Sequence, residues 1–488
     1  MSLPVPHFAT AAWPPMLRRA GLVLLTVQLA ACASSAISPQ ARDPELPDAW
    51  SQKPIAETAA APAGAVDLPT EGWLVALDSP QLETLVHEAQ AGNYRLGRQY
   101  AVVEELGQAI TSAGADRWPG ASLGVSGGRN MLDAEQGGRT YTESWQGSLD
   151  LSWELDIWGK LGDQQQRAEL DYGAALATLR QQQIQLTADV ATGWFDSIAN
   201  TRLLALLQQR LDNVSSDLDS LEQGYRRGLN EARDVYLSRN TVADSRASLA
   251  SQRQSLQESI AALQRLLARY PSGEGLDLDA RLPELDPVAP AGAPALLLQR
   301  RPDIQQAWLS LLSADAGLAV AHKNRFPSLS LTGRAGTTSA ALDGLVDQGL
   351  SSWSLGASLV QPLFEAGRLK SLEGQARARV VQAEKTYLDT VFDAFAEVES
   401  LLSAEQTLRE QLQAQRESRD NANIAYDLSL QQYNRGLVDY TTVLEAQRRA
   451  FDAQTAAIQL HNRVIGNRIS LYRALGGDFE RRQPVASR

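Results

Sequence analysis

The sequence predicts a mainly α-helical chain made of two equivalent halves, in which each half also supplies one β-hairpin suited to a transmembrane barrel. Three observations predict this fold class. Motifs recur at one fixed spacing, two long stretches lack proline and have coiled-coil periodicity, and four segments alternate apolar with polar residues. The 488 residues are enough for long helices as well as a small sheet.

The composition argues against several functional classes. The formal net charge is −12, so nucleic acid is not an expected partner. Cys32 is the only cysteine, which leaves no disulfide, Cys-ligated metal site or catalytic thiol in the rest of the chain. His87, His322 and His461 are scattered without ligand spacing. We therefore expect no metal, no other cofactor and no enzymatic activity.

The N-terminus predicts export and lipidation. Arg18 and Arg19 precede an apolar run, 21–31, which is about half of the ~20 residues that a membrane helix needs. Cys32 follows directly, in an order typical of a lipoprotein signal peptide at 1–31. Cys32 would then become the mature N-terminus and carry lipid chains on its sulfur and nitrogen. The alternative is an ordinary signal peptide with an accidental cysteine.

Two details refine this interpretation. Residue 33 is alanine rather than an aspartate that retains lipoproteins at the inner membrane, which favours the outer membrane. A start at Met16 would give a signal of more ordinary length. Residues 32–78 are rich in Ala, Pro, Asp and Ser, a composition that predicts an extended tether with structure beginning near Ser79.

An internal duplication dominates the rest of the chain. Arg117-Trp118-Pro119 recurs as Arg325-Phe326-Pro327, Trp158-Gly159-Lys160-Leu161 as Ala366-Gly367-Arg368-Leu369, and Tyr225-Arg226-Arg227-Gly228-Leu229 as Tyr433-Asn434-Arg435-Gly436-Leu437. Subtracting the positions gives 208 each time. A single ungapped offset predicts two structurally equivalent repeats, at 79–270 and 295–476. A linker at 271–294 joins them, and a tail at 477–488 follows.

Long helices are predicted at about 163–269 and 368–475, because no proline interrupts either stretch. Apolar residues step by three and four: Leu203, Leu207, Leu211, Val214, Leu218 and Leu221 in the first stretch, and Leu388, Val391, Phe395, Val398 and Leu402 in the second. This periodicity is that of a coiled coil. Gly228 and Gly436 mark the turns between helices. On the helices alone, an ordinary coiled-coil dimer remains an alternative.

The strand hairpins are predicted at about 117–157 and 325–364, with strands of roughly ten residues. Leu149, Leu151 and Trp153 share one face of the first hairpin, and Leu355 and Leu359 share one face of the second. The opposite faces are small or hydroxylated, as in strands that line water and expose their apolar face to lipid. A soluble sheet is the alternative, which the export signal disfavours.

Four strands cannot close a barrel, and open sheet edges cannot face lipid. The chain must therefore assemble with copies of itself. Two copies would give eight strands with a filled interior, so a water-filled lumen implies three or more copies.

Further motifs carry a family resemblance. They are Arg301-Pro302-Asp303-Ile304, Tyr433-Asn434-Arg435-Gly436 and Val443-Leu444-Glu445-Ala446-Gln447-Arg448. With the repeats and Cys32, the chain resembles the outer membrane factor family, of the TolC and OprM type, and in particular its NodT-type lipoprotein branch. The resemblance implies a homotrimer with a 12-stranded β-barrel in the outer membrane, continued by a 12-helix coiled-coil α-barrel across the periplasm.

The resemblance also implies partners and cargo. These are outer-membrane lipids, a periplasmic adaptor (membrane fusion protein) and an inner-membrane pump of the resistance-nodulation-division type. Such a complex exports drugs or other small amphipathic compounds through a passive duct. Two alternatives stay open: the channel of a type I protein secretion system, and a structural coiled-coil lipoprotein tether.

The same resemblance implies a gate at the periplasmic end. Tyr433 would hydrogen-bond to Asp234, and Glu445 would join an acidic ring, next to Thr442 where some relatives carry a second aspartate. Gly228, Leu229, Gly436 and Leu437 would contact the adaptor at the helix turns. The simpler alternative makes Tyr433 a helix-end hydroxyl and Glu445 a solvated surface charge.

Overall fold

A computed structural model of the chain describes residue 50 and residues 72–134, 138–286, 294–347 and 350–477. The chain divides into the units Met1–Ala41 and Arg42–Arg488, and the described residues all belong to the second. Cys32, the predicted signal segment 1–31 and residues 478–488 lie outside the described residues, as do most of the predicted tether 32–78 and part of the predicted linker 271–294.

The regular elements alternate between helices and hairpins. A 3-10 helix at Trp73–Leu77 precedes the first half, whose elements are α1 (Pro80–Gly92), α2 (Tyr94–Ala115), β1 (Gly120–Ala134), β2 (Gly138–Leu155), α3 (Lys160–Arg226) and α4 (Ala232–Leu266). A 3-10 turn at Pro294–Leu296 precedes the second half, whose elements are α5 (Leu297–Arg300), α6 (Pro302–Lys323), β3 (Ser328–Ser339), α7 (Gly344–Asp347), β4 (Leu350–Val360), α8 (Arg368–Asn434) and α9 (Tyr440–Ala474).

The predicted duplication is confirmed by helix lengths. Helices α3 and α8 each have 67 residues, α4 and α9 each have 35, and α2 and α6 each have 22. At 1.5 Å per residue, each 67-residue helix is on the order of 100 Å long. Such lengths suit a tunnel wall rather than a compact domain.

The four strands form one antiparallel sheet in the order β1-β2-β3-β4. The register places apolar residues opposite one another across the repeats, with Trp153 paired to Leu331 and Leu155 to Leu329. It likewise pairs Asp150 with Arg334 on the polar face. The strands of the first hairpin, 15 and 18 residues long, exceed the predicted ten, whereas β3 and β4 have 12 and 11.

The main apolar core lies where the middle of α3 meets the C-terminal parts of α4 and α9. Trp73, Trp194, Phe195 and Ile465 are all fully buried or nearly so in this cluster, which we call the equatorial core. The Trp73 ring stacks on Tyr472 at 5.5 Å between centroids. About 2–3 kcal/mol accompanies burial of each such large side chain, so this region anchors the fold.

The predicted tether is therefore wrong at its C-terminal end. Residues 73–77 form a 3-10 helix whose Trp73, Leu74 and Leu77 are buried, so structure begins before Ser79. Trp50 also packs, with its ring 6.1 Å from that of Phe395. The average composition of 32–78 is polar, so it gave no sign of these few large apolar residues, which pack against the helices.

Within the described ranges, no helix is both long and apolar enough to cross a membrane.

Candidate functional site

The two helix turns, at 227–231 and 435–439, have the same local geometry. Gly228 and Gly436 adopt left-handed conformations, with φ of 79° and 75°. The amides of Gly228 and Leu229 donate to Tyr225 and Gly224, and those of Gly436 and Leu437 donate to Tyr433 and Gln432. These paired bonds form the Schellman motif, which requires a residue that tolerates positive φ. A side chain at either glycine would strain the turn.

Leu229 and Leu437 directly follow the glycines of the two turns. Their exposed fractions are 75% and 68%, which is unusual for leucine. Because the turns are equivalent in the two repeats, the two leucines present similar apolar surface. Their contact with an adaptor remains a prediction.

A small apolar cluster lies just inside the turns. Leu221 from α3 packs with Tyr440 and Val443 from α9, and all three are buried. The ring of Tyr433 lies 5.5 Å from that of Tyr440. Burial raises the pKa of Tyr440 to about 12, with smaller contributions from the nearby Asp217 and from Tyr433. Tyr440 therefore stays neutral and acts as a packing residue.

Tyr433 and Asp234 are neighbours, but the predicted hydrogen bond between them is not formed. Burial, followed by the negative charge of Asp234, raises the pKa of the Tyr433 hydroxyl. The Oδ1 atom of Asp234 is buried without a hydrogen-bond partner, and its nearest cation is Arg233, with Nε 3.6 Å away. The Tyr433 ring packs against Tyr440, and a gate contact between Tyr433 and Asp234 stays a prediction.

Glu445 makes contacts within its own helix. Its Oε1 accepts from Arg448 at 3.0 Å and from Arg449 at 2.8 Å. These two hydrogen bonds hold the pKa of Glu445 at about 2. The carboxylate stays ionised, but two arginines offset its charge. Thr442 is exposed on the preceding turn. A role for either residue in an acidic ring remains a prediction.

A polar contact that the sequence interpretation missed joins the two repeats above the turns. Gln447 in α9 is only 3% exposed. Its Nε2 donates to Asp217 Oδ2 in α3 and to the Tyr426 hydroxyl in α8, both at 3.1 Å. Burial raises the pKa of Asp217 despite the bond from Gln447. We call these three residues the clasp.

The sequence held a signal for the clasp. Tyr440, Val443, Gln447 and Ala450 are all buried and step by three, four and three along α9. A polar residue at a seam position of this kind needs a partner, because an unpaired buried amide costs about 1–3 kcal/mol. The partner, Asp217, lies 230 positions away, which no local pattern reveals.

The clasp is the outermost of three polar contacts between α3 and α9. The other two join Asn462 Nδ2 to Asp196 Oδ1 at 2.6 Å and Arg473 Nη1 to Gln185 Oε1 at 3.0 Å. The residue order runs in opposite directions on the two helices, so these contacts form a ladder along an antiparallel pair. The ladder holds the second helical pair against the first from the equatorial core towards the turns.

The predicted barrel exterior lies on one face of the sheet. Leu149, Leu151, Leu355 and Leu359 are all exposed in the single chain, between 45% and 78%. Trp153 is half-buried, and its Nε1 donates to the carbonyl oxygen of Arg117 at 2.9 Å. The assignment of this face to lipid stays a prediction.

Asp150 and Arg334 form an ion pair on the opposite face of the same sheet. Among the residues that the structure describes, no group of histidine, cysteine, aspartate and glutamate side chains could hold a metal ion.

Comparison with known proteins agrees with this arrangement. The family model for outer membrane efflux proteins matches residues 85–269 and 293–477, which are the two repeats. The chain is 32% identical over 410 residues to the solvent efflux pump outer membrane protein SrpC of Pseudomonas putida, covering 82% of this chain and 86% of SrpC. It is 33% identical over 419 residues to the toluene efflux pump outer membrane protein TtgF of the same species, covering 84% and 85%.

A solved structure gives the same answer for the fold. The outer-membrane channel OprN superposes with a TM-score of 0.79 at 25% identity, covering 90% of this chain and 98% of that one.

Proposed function

Because the chain belongs to the outer membrane efflux protein family, whose model covers both repeats, we propose that three copies of it form a passive exit duct. Family membership makes it a channel component of an efflux system in the outer membrane, in a family of ducts rather than enzymes. The duct would run through a 12-stranded barrel and a 12-helix tunnel. Energy for export would come from partner proteins.

The sheet carries this proposal. Its order, β1-β2-β3-β4, leaves β1 and β4 as edges with unpaired backbone groups. Such edges cannot face lipid, because each unsatisfied backbone group would cost several kcal/mol. Pairing β4 of one copy with β1 of the next satisfies both edges, and three copies give the twelve strands that leave room for a lumen.

The helix turns support docking to other proteins. Leu229 and Leu437 expose apolar surface at two equivalent turns, where a periplasmic adaptor would contact the tunnel. An inner-membrane pump of the resistance-nodulation-division type would then feed the duct through that adaptor. Cys32, as a lipid-bearing N-terminus, would add a second attachment to the membrane.

The proposed cargo is small apolar or amphipathic compounds, including drugs. Support comes from relatives named for the efflux of solvents and toluene. A passive duct needs no separate binding site for each compound, so one duct can pass several compounds.

We place the constriction of the duct at the turns, where the clasp and the apolar cluster hold α9 against α3. Few groups stabilise this end, which makes a change between closed and open forms feasible. Tyr433, Asp234, Thr442 and Glu445 lie at or beside this end and could line the constriction.

A deletion strain tests the function directly. Loss of the gene should increase susceptibility to several solvents and amphipathic antibiotics, and plasmid-borne protein should restore resistance. Failure to secrete a protein, with unchanged drug susceptibility, would favour type I secretion instead. Heat-modifiable migration on gels marks a stable barrel, and its absence from correctly lipidated protein would favour the structural tether.

A further inference from the structure

The first hairpin extends well beyond the second. Strands β1 and β2 stay paired out to Ala134 and Gly138, whereas the pairing of β2 with β3 stops at Trp145. Residues 128–134 and 138–144 therefore form a two-stranded extension that β3 does not accompany. We call this extension the ribbon.

The ribbon has one charged face. All four charged residues of the ribbon have odd numbers. In the register, Arg129 lies across from Glu143 and Asp133 lies across from Arg139. Its other face carries Gly128, Asn130, Leu132, Thr140, Thr142 and Ser144, none of them charged. Because strand side chains alternate, the separation of charge by face is complete in the ribbon.

The charged face continues the apolar face of the sheet. Trp145 has the same parity as Leu149 and Leu151, and its ring covers Gly127, where an added Cβ would lie 2.5 Å from the ring. The register is continuous from Gly120 to Ala134, so no bulge changes the parity. In the proposed barrel, the charges thus face outward, towards lipid, rather than into the lumen.

The height of the charges follows from strand geometry. From Leu155 to Trp145 the outward face is free of charge. That ten-residue step spans about 33 Å along the strand, or about 25 Å vertically at the usual tilt. This equals the apolar band of outer-membrane barrels, and Trp145 falls where an aromatic girdle is expected. Arg129 and Glu143 come next, at the level of the lipid headgroups.

We propose that the charged face of the ribbon binds phosphate groups of the anionic lipid in the outer leaflet, a proposal that rests on the barrel proposed above. Arg129 and Arg139 each approach one acid, with Nε 3.4 Å from Glu143 and 3.2 Å from Asp133. The arginine side chains are nevertheless 63% and 65% exposed. Exposed ion pairs are weak, so phosphate can compete for the guanidinium groups.

Two further features of the ribbon suit a headgroup layer. The Arg129 guanidinium lies 4.7 Å from the centroid of the Tyr141 ring, which holds it at the outward face. Tyrosine and tryptophan are both enriched at membrane interfaces. Asp133 and Glu143, which are also exposed, could share the divalent cations that bridge neighbouring lipid phosphates.

Binding of lipid A to the purified full-length protein in detergent tests the proposal. Affinity for the bisphosphorylated form should exceed that for a dephosphorylated form. The double variant R129Q/R139Q should bind the bisphosphorylated form about fivefold more weakly per arginine removed. R334Q is the matched control, since Arg334 lies in the same sheet on the opposite face, and it should bind like the wild type.

Heat-modifiable migration checks that each variant keeps its barrel. Equal affinity of R129Q/R139Q and wild type, or an equal loss in R334Q, would overturn the proposal. Conductance of the wild type, measured on the same samples, tests the duct separately, so a failure of lipid binding and a failure of the duct give different results.

Discussion

The same two helices, α3 and α9, meet at two levels that differ in how completely they are packed. At the equatorial core, Trp194 and Ile465 are fully buried, and the buried Arg468 binds Glu405 and the carbonyl oxygen of Asp286. Near the turns, the helices meet through a small cluster, the clasp and the Arg210 guanidinium, which lies 5.2 Å from the centroid of the Phe451 ring. Asp234 Oδ1 in the same region is buried without a hydrogen-bond partner.

This difference indicates that the equatorial core is a rigid frame and that the turn end can move more easily. Regions with many buried contacts open only with most of the protein, whereas sparsely packed ends open locally. Arg468 and Glu405 also hold the chain between the repeats, since Arg409 binds Glu405 and the carbonyl oxygen of Leu285. The equatorial contacts therefore hold the repeats together, and the sparser packing near the turns supports the gate that we propose there.

The largest expected effect comes from breaking the equatorial frame. R468L would leave the buried Glu405 without its main partner, and we expect the free energy of unfolding to fall by about 3–5 kcal/mol. Chemical denaturation followed by the helical circular dichroism signal measures this. The double variant E405L/R468L should recover much of the loss, and an R468L protein as stable as wild type would contradict the assigned frame.

Breaking the clasp should have a smaller effect on stability and a larger one on leakage. Q447E removes the amide that donates to Asp217 and places a second carboxylate beside it. The loss of this buried hydrogen bond should destabilise the closed form by about 1–3 kcal/mol. Cells carrying Q447E should therefore become more sensitive to vancomycin, a large antibiotic. The exchange D217N/Q447E restores one amide and one carboxylate and should return sensitivity towards wild type.

Q454E is the matched control for the clasp. Gln454 lies two turns further along α9 and donates to Asn423 in α8 at 2.6 Å, so its bond stays within the second repeat. Sensitivity to vancomycin should not change in Q454E. Equal leakage from Q447E and Q454E would mean that the loss of any buried side-chain hydrogen bond from α9 opens the tunnel, and that the clasp has no special role.

Acid should weaken the equatorial frame. Bonds from Arg468, Arg409 and Asn467 outweigh burial and lower the pKa of Glu405 from its usual 4.5. A lowered pKa gives stability that is present above 4.5 and lost as the pH falls through the folded-state value. Denaturation midpoints measured between pH 7 and 3 should fall in wild type and fall less in E405Q.

The clasp should respond in the opposite sense. Burial raises the pKa of Asp217, so lowering the pH removes an unfavourable buried charge and favours the closed end. D217N should abolish this response in leakage assays.

The smallest expected effect belongs to Glu445. Because Arg448 and Arg449 offset its charge, E445Q should leave the ion selectivity of the channel nearly unchanged. Reversal potentials in a salt gradient measure this. A marked loss of cation preference in E445Q would instead support the prediction that Glu445 belongs to an acidic ring.

The sequence was sufficient for the fold wherever a pattern is local or repeated. The offset between Arg117 and Arg325 predicted paired helices of equal length, and alternation predicted four strands with the apolar residues on one face. Gly228 and Gly436 predicted their turns because only residues that tolerate positive φ fit there.

The parts that sequence could not supply depend on long-range packing. Gln447 looked like an ordinary polar residue of α9 until its distant partner in α3 was placed beside it. The packing of the Tyr433 ring against Tyr440 likewise joins the end of α8 to the start of α9, which no local pattern in the sequence reveals. Docking of Trp73 was hidden by the polar average of its surroundings.

Single-channel conductance in planar bilayers measures whether this protein is a duct that a contact between the repeats holds closed at its turn end. Purified, lipidated wild type should conduct weakly, Q447E should conduct several-fold more, and D217N/Q447E should return towards wild type. Absence of conductance in well-folded trimers of all three proteins would contradict a duct, and a Q447E conductance no higher than that of the wild type would contradict closure by the clasp.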